Sequence, residues 1–360
     1  MIIPVLIFIA ILSLLIIVHE FGHFIAARKN GVRVEQFSLG FGPQIFKKKL
    51  GATEFSISLI PLGGFVKMAG DSQAEYLGKP DEYFFKSPGK RFQIIFLGPC
   101  LNYILGFLFF WLIFFIGYPS LTTKVGGLMD GYGAQIAGLK VGDQITVIQG
   151  KKINYWEDLQ QEIHKIKAGD KVKLEVRRKS ENLNFEVVLK DKVVTEESGK
   201  KQALGILGIT PSDEILEVKH GFFIAAYLGL EKTFALTLMT YQGLWKLVSG
   251  KISMRDSMTG PLGIFFITSK AAKLGWIALL HLIAVLSVSL AIFNLLPLPI
   301  LDGGHLFLLL LEKIRKKALA LKTEEIINTI GFVLLIGMTL FVTYNDILRL
   351  YGERISKLVK

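Results

Sequence analysis

His19-Glu20-Phe21-Gly22-His23 closes an apolar run that begins at Met1 and continues through Val18. On a helix, residues four apart lie on one face about one turn from each other, so both imidazoles can reach a single metal ion. The glutamate between them stands beside that metal, placed to take a proton from water. With 6 His and 19 Glu in 360 residues, a shuffled chain holds about 0.005 copies of this pattern. Two helix histidines that only pack or hydrogen bond are the plainer alternative. It does not account for three ionisable residues at the end of a membrane-like segment, where such groups are costly and ordinarily functional.

Composition extends the membrane reading to the whole chain. Residues are 51% hydrophobic and only 20% charged, with 27 Phe and a mean hydropathy of +0.47. Net charge is +12, but the Lys/Arg clusters flank apolar runs, which is how a membrane protein sets its orientation. No helix-turn-helix, zinc-finger or RNA-binding signature accompanies them, so nucleic acid is not an expected partner. The single cysteine, Cys100, lies inside an apolar stretch and supports no disulfide framework.

Four segments are long and apolar enough to span: Ile2 to Ala27, Phe92 to Tyr118, Trp276 to Leu298 and Ile326 to Thr343. The first has its basic residues after it, at Arg28, Lys29 and Arg33, the reverse of a signal peptide, so it is expected to be retained. The positive-inside rule places Arg28 to Lys49 on the cytoplasmic side, together with Lys86, Lys90 and Arg91. The cluster Lys313, Arg315, Lys316, Lys317 and Lys322 is assigned to the same side. Phe222 to Val248 is apolar but broken by Glu231, Lys232, Gln242 and several threonines. Counting it as a span would put the Lys313 to Lys322 cluster outside, so it is expected to lie in the interface or re-enter as an amphipathic helix.

The block between spans two and three has mixed α/β chemistry. Gly138-Leu139-Lys140-Val141-Gly142-Asp143 is turn-rich and leads into the β-type run Gln144 to Ile148. Trp156, Leu159, Ile163 and Ile166 have helical spacing, whereas Val172, Leu174 and Val176 alternate, as do Phe185, Val187 and Leu189. This order and the Gly-Leu-Lys-Val-Gly-Asp turn resemble a single PDZ domain, which implies capture of an extended peptide by strand addition. A generic small α/β spacer is the alternative. The expected architecture is a polytopic α-helical membrane protein of about four spans with an inserted extracytoplasmic α/β PDZ domain. Its parts are an N-terminal membrane part (1–121), the PDZ domain (122–217), an interfacial helix and linker (218–275) and a C-terminal membrane part (276–360).

A hydrolytic metal needs a third protein ligand and one position left for water. A metzincin would have glycine at 26 and histidine at 29, where this chain has Ala26 and Lys29. A thermolysin-like site needs a glutamate on a following helix, and Glu35 and Glu54 lie in Gly-rich or strand-like sequence. The remaining candidate is Asp302, at the end of Asn294-Leu295-Leu296-Pro297-Leu298-Pro299-Ile300-Leu301-Asp302-Gly303-Gly304. Two prolines and two glycines break the helix here, which membrane depth tolerates only beside protein or a wet cavity. Spans one and three run in the same direction, so His19, His23 and Asp302 can meet at one depth. A turn or capping role is the alternative for Asp302.

His19-Glu20-x-x-His23, the Asn294-x-x-Pro297-x-Pro299-x-Leu301-Asp302-Gly303 run and the inserted PDZ together resemble the site-2 protease family, closest to its bacterial regulator of sigma-E branch. Gly40-Phe41-Gly42, the strand-like Glu54 to Leu59 and Gly98-Pro99-x-x-Asn102 extend the resemblance over essentially the whole chain. The best-known enterobacterial members carry two PDZ domains, whereas this chain has room for one. The resemblance implies an intramembrane zinc metalloprotease in a bacterial inner membrane, acting on single-span membrane proteins. Such substrates are anti-sigma factors already trimmed outside, or remnant signal peptides. It implies that His19, His23 and Asp302 hold one zinc ion (Zn2+), that Glu20 is the catalytic base, and that the site faces the cytoplasmic side. Asn294 is implied to grip the substrate backbone, with bonding inside its own broken helix as the alternative. Asn102 is a weaker candidate for substrate contact, with helix packing the default. Glu54 to Leu59 could add the substrate as an edge strand, or be only a structural hairpin. His305 reads as packing near the site, and His164, His220 and His281 as structural. A non-catalytic PDZ-bearing scaffold for the same clients, and a metal transporter, are the competing functional classes. The intact His-Glu-His and Asp302 set, gathered at one depth, speaks against both.

Overall fold

The computed structural model describes residues 2–72, 74–195, 201–315 and 321–358. The chain divides into two compact units, one of Met1–Ile113, Phe223–Trp245 and Met258–Lys360, the other of Phe114–Phe222 and Lys246–Ser257.

The first unit opens with α1 (Ile2–Lys29), a helix of 28 residues. At 1.5 Å per residue it reaches about 42 Å, more than a bilayer's hydrocarbon core. It has no polar stripe before His19, so its first turns suit lipid on any side. Two bent strands follow, β1 (Val34–Leu50) and β2 (Thr53–Met68). They fold back so that residues 36–39 have partners on both sides, at 54–57 and at 64–67. Phe37 and Phe55 pack against Phe24 of α1, which fastens this sheet to the helix end that carries the His-Glu-His motif. The next helix, α2 (Pro88–Ile116), starts on a proline, as first helical positions favour.

The second unit contains β3 (Tyr118–Leu121), β4 (Val125–Leu128), α3 (Gly133–Ile136), β5 (Gln144–Ile148), β6 (Lys151–Lys152), α4 (Trp156–His164), β7 (Lys171–Arg178), β8 (Glu181–Val188), β9 (Lys190–Thr195), β10 (Lys201–Ile206), β11 (Ile209–Pro211) and β12 (Ile215–Val218). A sheet of order β6-β5-β7-β8 is its centre. The alternation read from sequence places Val172, Leu174, Val176, Val187 and Leu189 inside, against Trp156, Leu159 and Ile163 of α4. The Gly138–Asp143 turn has a specific lock. Buried Asp143 accepts Arg178 Nε at 2.8 Å, Arg178 Nη2 at 2.8 Å and the Lys140 amide at 2.8 Å. Arg178 also donates to the Gly138 carbonyl at 2.9 Å.

The chain continues as α5 (Phe222–Val248), α6 (Met254–Ser257), α7 (Pro261–Leu274), α8 (Trp276–Asn294), α9 (Asp302–Arg315) and α10 (Leu321–Leu358). Here the structure adds a fifth candidate to the four segments read as spans. Among the described residues five helices are long and apolar enough to cross a membrane, and α5 is one of them. It runs antiparallel to α2, with Gly229 against Trp111 and Thr237 Oγ1 3.0 Å from the Tyr103 hydroxyl. Ala225, Gly229 and Thr233 form a buried small-residue stripe, the kind that lets helices approach closely in a membrane. Thr233, Thr237 and Thr240, which counted against a span, donate to the carbonyls four residues back, so their hydroxyls are satisfied within the helix. The parity argument also overlooked α7, which packs against α1 and α8 and is held at its N-terminus by Asp346, acceptor to the amides of Gly260 and Gly263 at 3.2 and 2.8 Å. Lys316 and Lys317 of the basic cluster lie outside the described residues.

The Asp143 lock makes a pH prediction. Burial pushes the Asp143 carboxyl up, but the hydrogen bonds from Arg178 and the Lys140 amide outweigh it and hold the group below the ordinary aspartate value of 3.8. A depressed folded-state value means stability that is full above about pH 4 and lost as pH falls through the lower folded value. Asp143→Asn should therefore lower the denaturation midpoint of the second unit at pH 7. The gap to the parent should close in acid. A gap of equal size at pH 7 and pH 2.5 would contradict the assignment.

Candidate active site

The site begins where α1 meets α2. Gly22 lies on the Leu97–Gly98 backbone, and a Cβ on Gly22 would overlap the Leu97 carbonyl. Gly98 matters in the same way, since a Cβ there would overlap Nε2 and Cε1 of His23. The imidazole of His23 thus occupies space that any other residue at 98 would fill. His23 Nδ1 donates to the Ile94 carbonyl at 2.9 Å, an orientation that leaves Nε2 as the nitrogen with a lone pair.

Asp302 arrives from the C-terminal half of the chain. After α8 ends, residues 295–301 turn in irregular backbone before α9 starts on Asp302 itself. Gly303 and Gly304 press on the carbonyls of Leu295, Leu296 and Leu298, with no space for a side chain. Ile300 sits at φ +75°. That is a strained conformation for a β-branched residue, costing of order 1–3 kcal/mol and typical of functional sites.

Three donor groups converge as a result. Asp302 Oδ2 lies 3.1 Å from His19 Nε2 and Asp302 Oδ1 lies 3.5 Å from His23 Nε2. The two Nε2 atoms are 3.2 Å apart. Tetrahedral zinc with bonds of about 2.0–2.1 Å separates its ligands by about 3.3 Å, so this donor set fits one zinc ion. Among the described residues it is also the one group of three or more His, Cys, Asp or Glu side chains so arranged. Both histidines are buried, 9% exposed each, which limits competing solvent.

Glu20 faces a cavity of about 240 Å³ that His23 and Asp302 also line. Beside it runs β2, since a Cβ on Gly64 would lie 3.2 Å from Glu20 Cγ. Val66, Met68 and Asp71 line the same cavity. Burial pushes the Asp71 carboxyl above its ordinary value, against the opposing hydrogen bond from the Met68 amide.

The remaining sequence candidates separate. Asn294 Nδ2 is 3.5 Å from both Nδ1 and Nε2 of His19, so the amide stands over the ring rather than on one lone pair. Asn102 is fully buried on α2. Its backbone carbonyl accepts the Ser287 hydroxyl of α8 at 2.7 Å, and its side-chain amide has no hydrogen-bond partner among the described residues. This burial agrees with the packing role that was the default for Asn102. The edge-strand expectation for Glu54 to Leu59 also fails, since residues 54–57 are paired with 36–39 on one side and 46–49 on the other. Residues 64–68, whose ladder partners all come from 34–39, run beside Glu20 instead. His305 lines the cavity, His281 and His220 pack edge-on to Phe110 and Phe114, and His164 ends α4. Gly98 and the Ile94 carbonyl were missed as site elements. The Gly98-Pro99-x-x-Asn102 motif was the available signal, since its glycine is the residue that the His23 ring lies against.

Comparison with known proteins decides the class. The model of peptidase family M50 matches residues 7–338. The chain belongs to peptidase family M50. A Campylobacter jejuni protein named as a zinc metalloprotease is 35% identical over 95% of this chain and 93% of its own length. The regulator of sigma-W protease RasP of Bacillus subtilis is 30% identical over 96% of this chain and 99% of its own. Among solved structures, the PDZ domain of an SdrC-like protein from Listeria monocytogenes is similar at 26% identity, covering 25% of this chain and 86% of that one, with a TM-score of 0.21. This M50 chain is an intramembrane zinc metalloprotease of the site-2 type.

Gly98→Ala in this M50 protease should push the His23 ring from α2 and lower bound zinc about tenfold or more, read by metal analysis of the purified protein. Zinc retained at the parent level would show that His23 does not need this space.

Proposed function

We propose that this M50 protease hydrolyses a peptide bond in or near the transmembrane segment of single-span membrane proteins. His19, His23 and Asp302 hold the zinc ion and Glu20 acts as the base. The observation that carries the reading is the convergence of two imidazoles and one carboxylate at 3.1–3.5 Å, with Glu20 on the wall of the same cavity. Bound zinc supplies an activated water near neutral pH and polarises the peptide carbonyl. Glu20 takes the proton of the attacking water and passes it to the leaving nitrogen. Asn294, beside His19, holds the substrate backbone near the scissile bond.

A helical substrate hides its carbonyls and must be drawn out before attack. The edge of β2 at residues 64–68, next to Glu20, accepts the extended segment by strand addition. The inserted α/β unit is read as a PDZ domain from its element order and its Gly138–Asp143 turn. A cavity of about 220 Å³ between Leu159 and Ile163 of α4 and residues 206–209 suits a client peptide or ectodomain end. The charge pattern supports an inner-membrane protein with this unit outside and the site towards the cytoplasm. The sigma-W role in the Bacillus subtilis relative's name supports trimmed anti-sigma factors as substrates, alongside remnant signal peptides.

The deciding assay presents a tagged single-span substrate with a shortened ectodomain to membranes that hold the parent chain, Glu20→Gln or Asp302→Ala. The parent should release a cytoplasmic fragment. Glu20→Gln should keep its zinc while losing about 10²–10⁴-fold in cleavage, and Asp302→Ala should lose the zinc. Equal fragment from parent and Glu20→Gln would overturn the reading.

A further inference from the structure

The cavity holds one charged pair that the proposed chemistry does not use. Arg91 lies on the first turn of α2 and Glu312 near the end of α9, and they form an ion pair with side chains only 7% and 21% exposed. Arg91 also lies over the Phe84 ring, with Cζ 5.5 Å from its centroid, and its Nε is buried without a hydrogen-bond partner. Desolvating two charges costs several kcal/mol each, so a buried pair is a weak source of stability, and its value must be sought in geometry.

That geometry joins the two halves of the metal centre. Arg91 is one turn before Ile94, whose carbonyl orients His23, and Gly98, which gives His23 its space, lies on the same face of α2. On α9, Asp302, His305, Leu309 and Glu312 all line the cavity, the spacing of one helix face. Glu312 is ten residues from Asp302, about 15 Å along a rigid helix. A turn of α9 that takes Glu312 from Arg91 therefore also swings Asp302 away from the two imidazoles. We propose that Arg91 and Glu312 are positioning residues, a strut that keeps the Asp302 helix in register with the helix that orients His23. The proposal rests on His19, His23 and Asp302 being the zinc ligands.

The test measures zinc affinity by chelator competition on the full-length, detergent-solubilised protein, in Arg91→Gln, Glu312→Gln, the double variant and Asp302→Ala. Each single variant should bind zinc about tenfold or more weakly, as loss of outer partners of a metal centre does. The double should be no worse than the weaker single, because one interaction is lost in all three. In cleavage assays kcat should fall with KM unchanged, and the ligand-field spectrum of the cobalt-substituted singles should shift, which a remote loss of stability would not produce. Zinc affinity within about twofold of the parent in both singles, while Asp302→Ala loses zinc, would refute the strut and leave the ligand set standing; additive losses in the double would refute it too. Zinc retained by Asp302→Ala would overturn the ligand set itself. Should a single variant fail to fold, the double, which leaves no lone buried charge, carries the same comparison.

Discussion

The approach of α1 to α2 at Gly22 and Gly98 is the constraint from which the site follows. Two backbones come close only where neither carries a Cβ, and the ring of His23 fills the remaining gap with its Nδ1 proton on the Ile94 carbonyl. With that proton committed, Nε2 of His23 presents a lone pair to Nε2 of His19 and to a carboxylate. Electron-rich atoms at these separations repel one another unless a proton or a metal ion lies between them, and the spacing matches the ligand separation of one zinc ion. The helix crossing thus prepares a centre for a divalent metal before any substrate arrives.

The carboxylate side depends on backbone that would be intolerable in lipid. Residues 295–301 leave helical geometry and Ile300 adopts a strained φ, yet the glycines at 303 and 304 seat this turn tightly on its own carbonyls. Irregular chain at membrane depth survives only where protein or water covers it. Polar groups elsewhere in the first unit follow the same economy: Thr233 and Thr237 bond within α5, Asp346 caps α7, and Arg91 meets Glu312. Each removes a charge or hydroxyl from a medium that cannot solvate it.

Much of this was legible in the residues. His19 and His23 stand four apart with Glu20 between them, a spacing that puts both imidazoles on one helix face, and alternation in Val172, Leu174 and Val176 reports a sheet with one buried face. Asp302 was singled out as the carboxylate behind a twice-broken helix, and a four-span order put it at the depth of the histidines. Two readings share a blind spot, which is that hydropathy and alternation ignore partners. The threonines of α5 looked like interruptions because their bonds to carbonyls one turn back are invisible in a hydropathy sum. Residues 54–57 looked like a free edge because alternation cannot tell whether one neighbour or two lies alongside.

The sequence by itself determined the chemistry available: two imidazoles and a base on one helix, a carboxylate behind a broken one, and an α/β insert of alternating strands. These are local properties, set by helical and strand periodicity and by the transfer energy of each side chain. Tertiary structure decided which groups meet and which are shut away. It placed His23 on Gly98, ran residues 64–68 rather than 54–59 beside Glu20, buried Asn102 on α2 and set Arg91 against Glu312. These contacts join residues up to 221 positions apart, and close packing, which no local pattern records, selects among them.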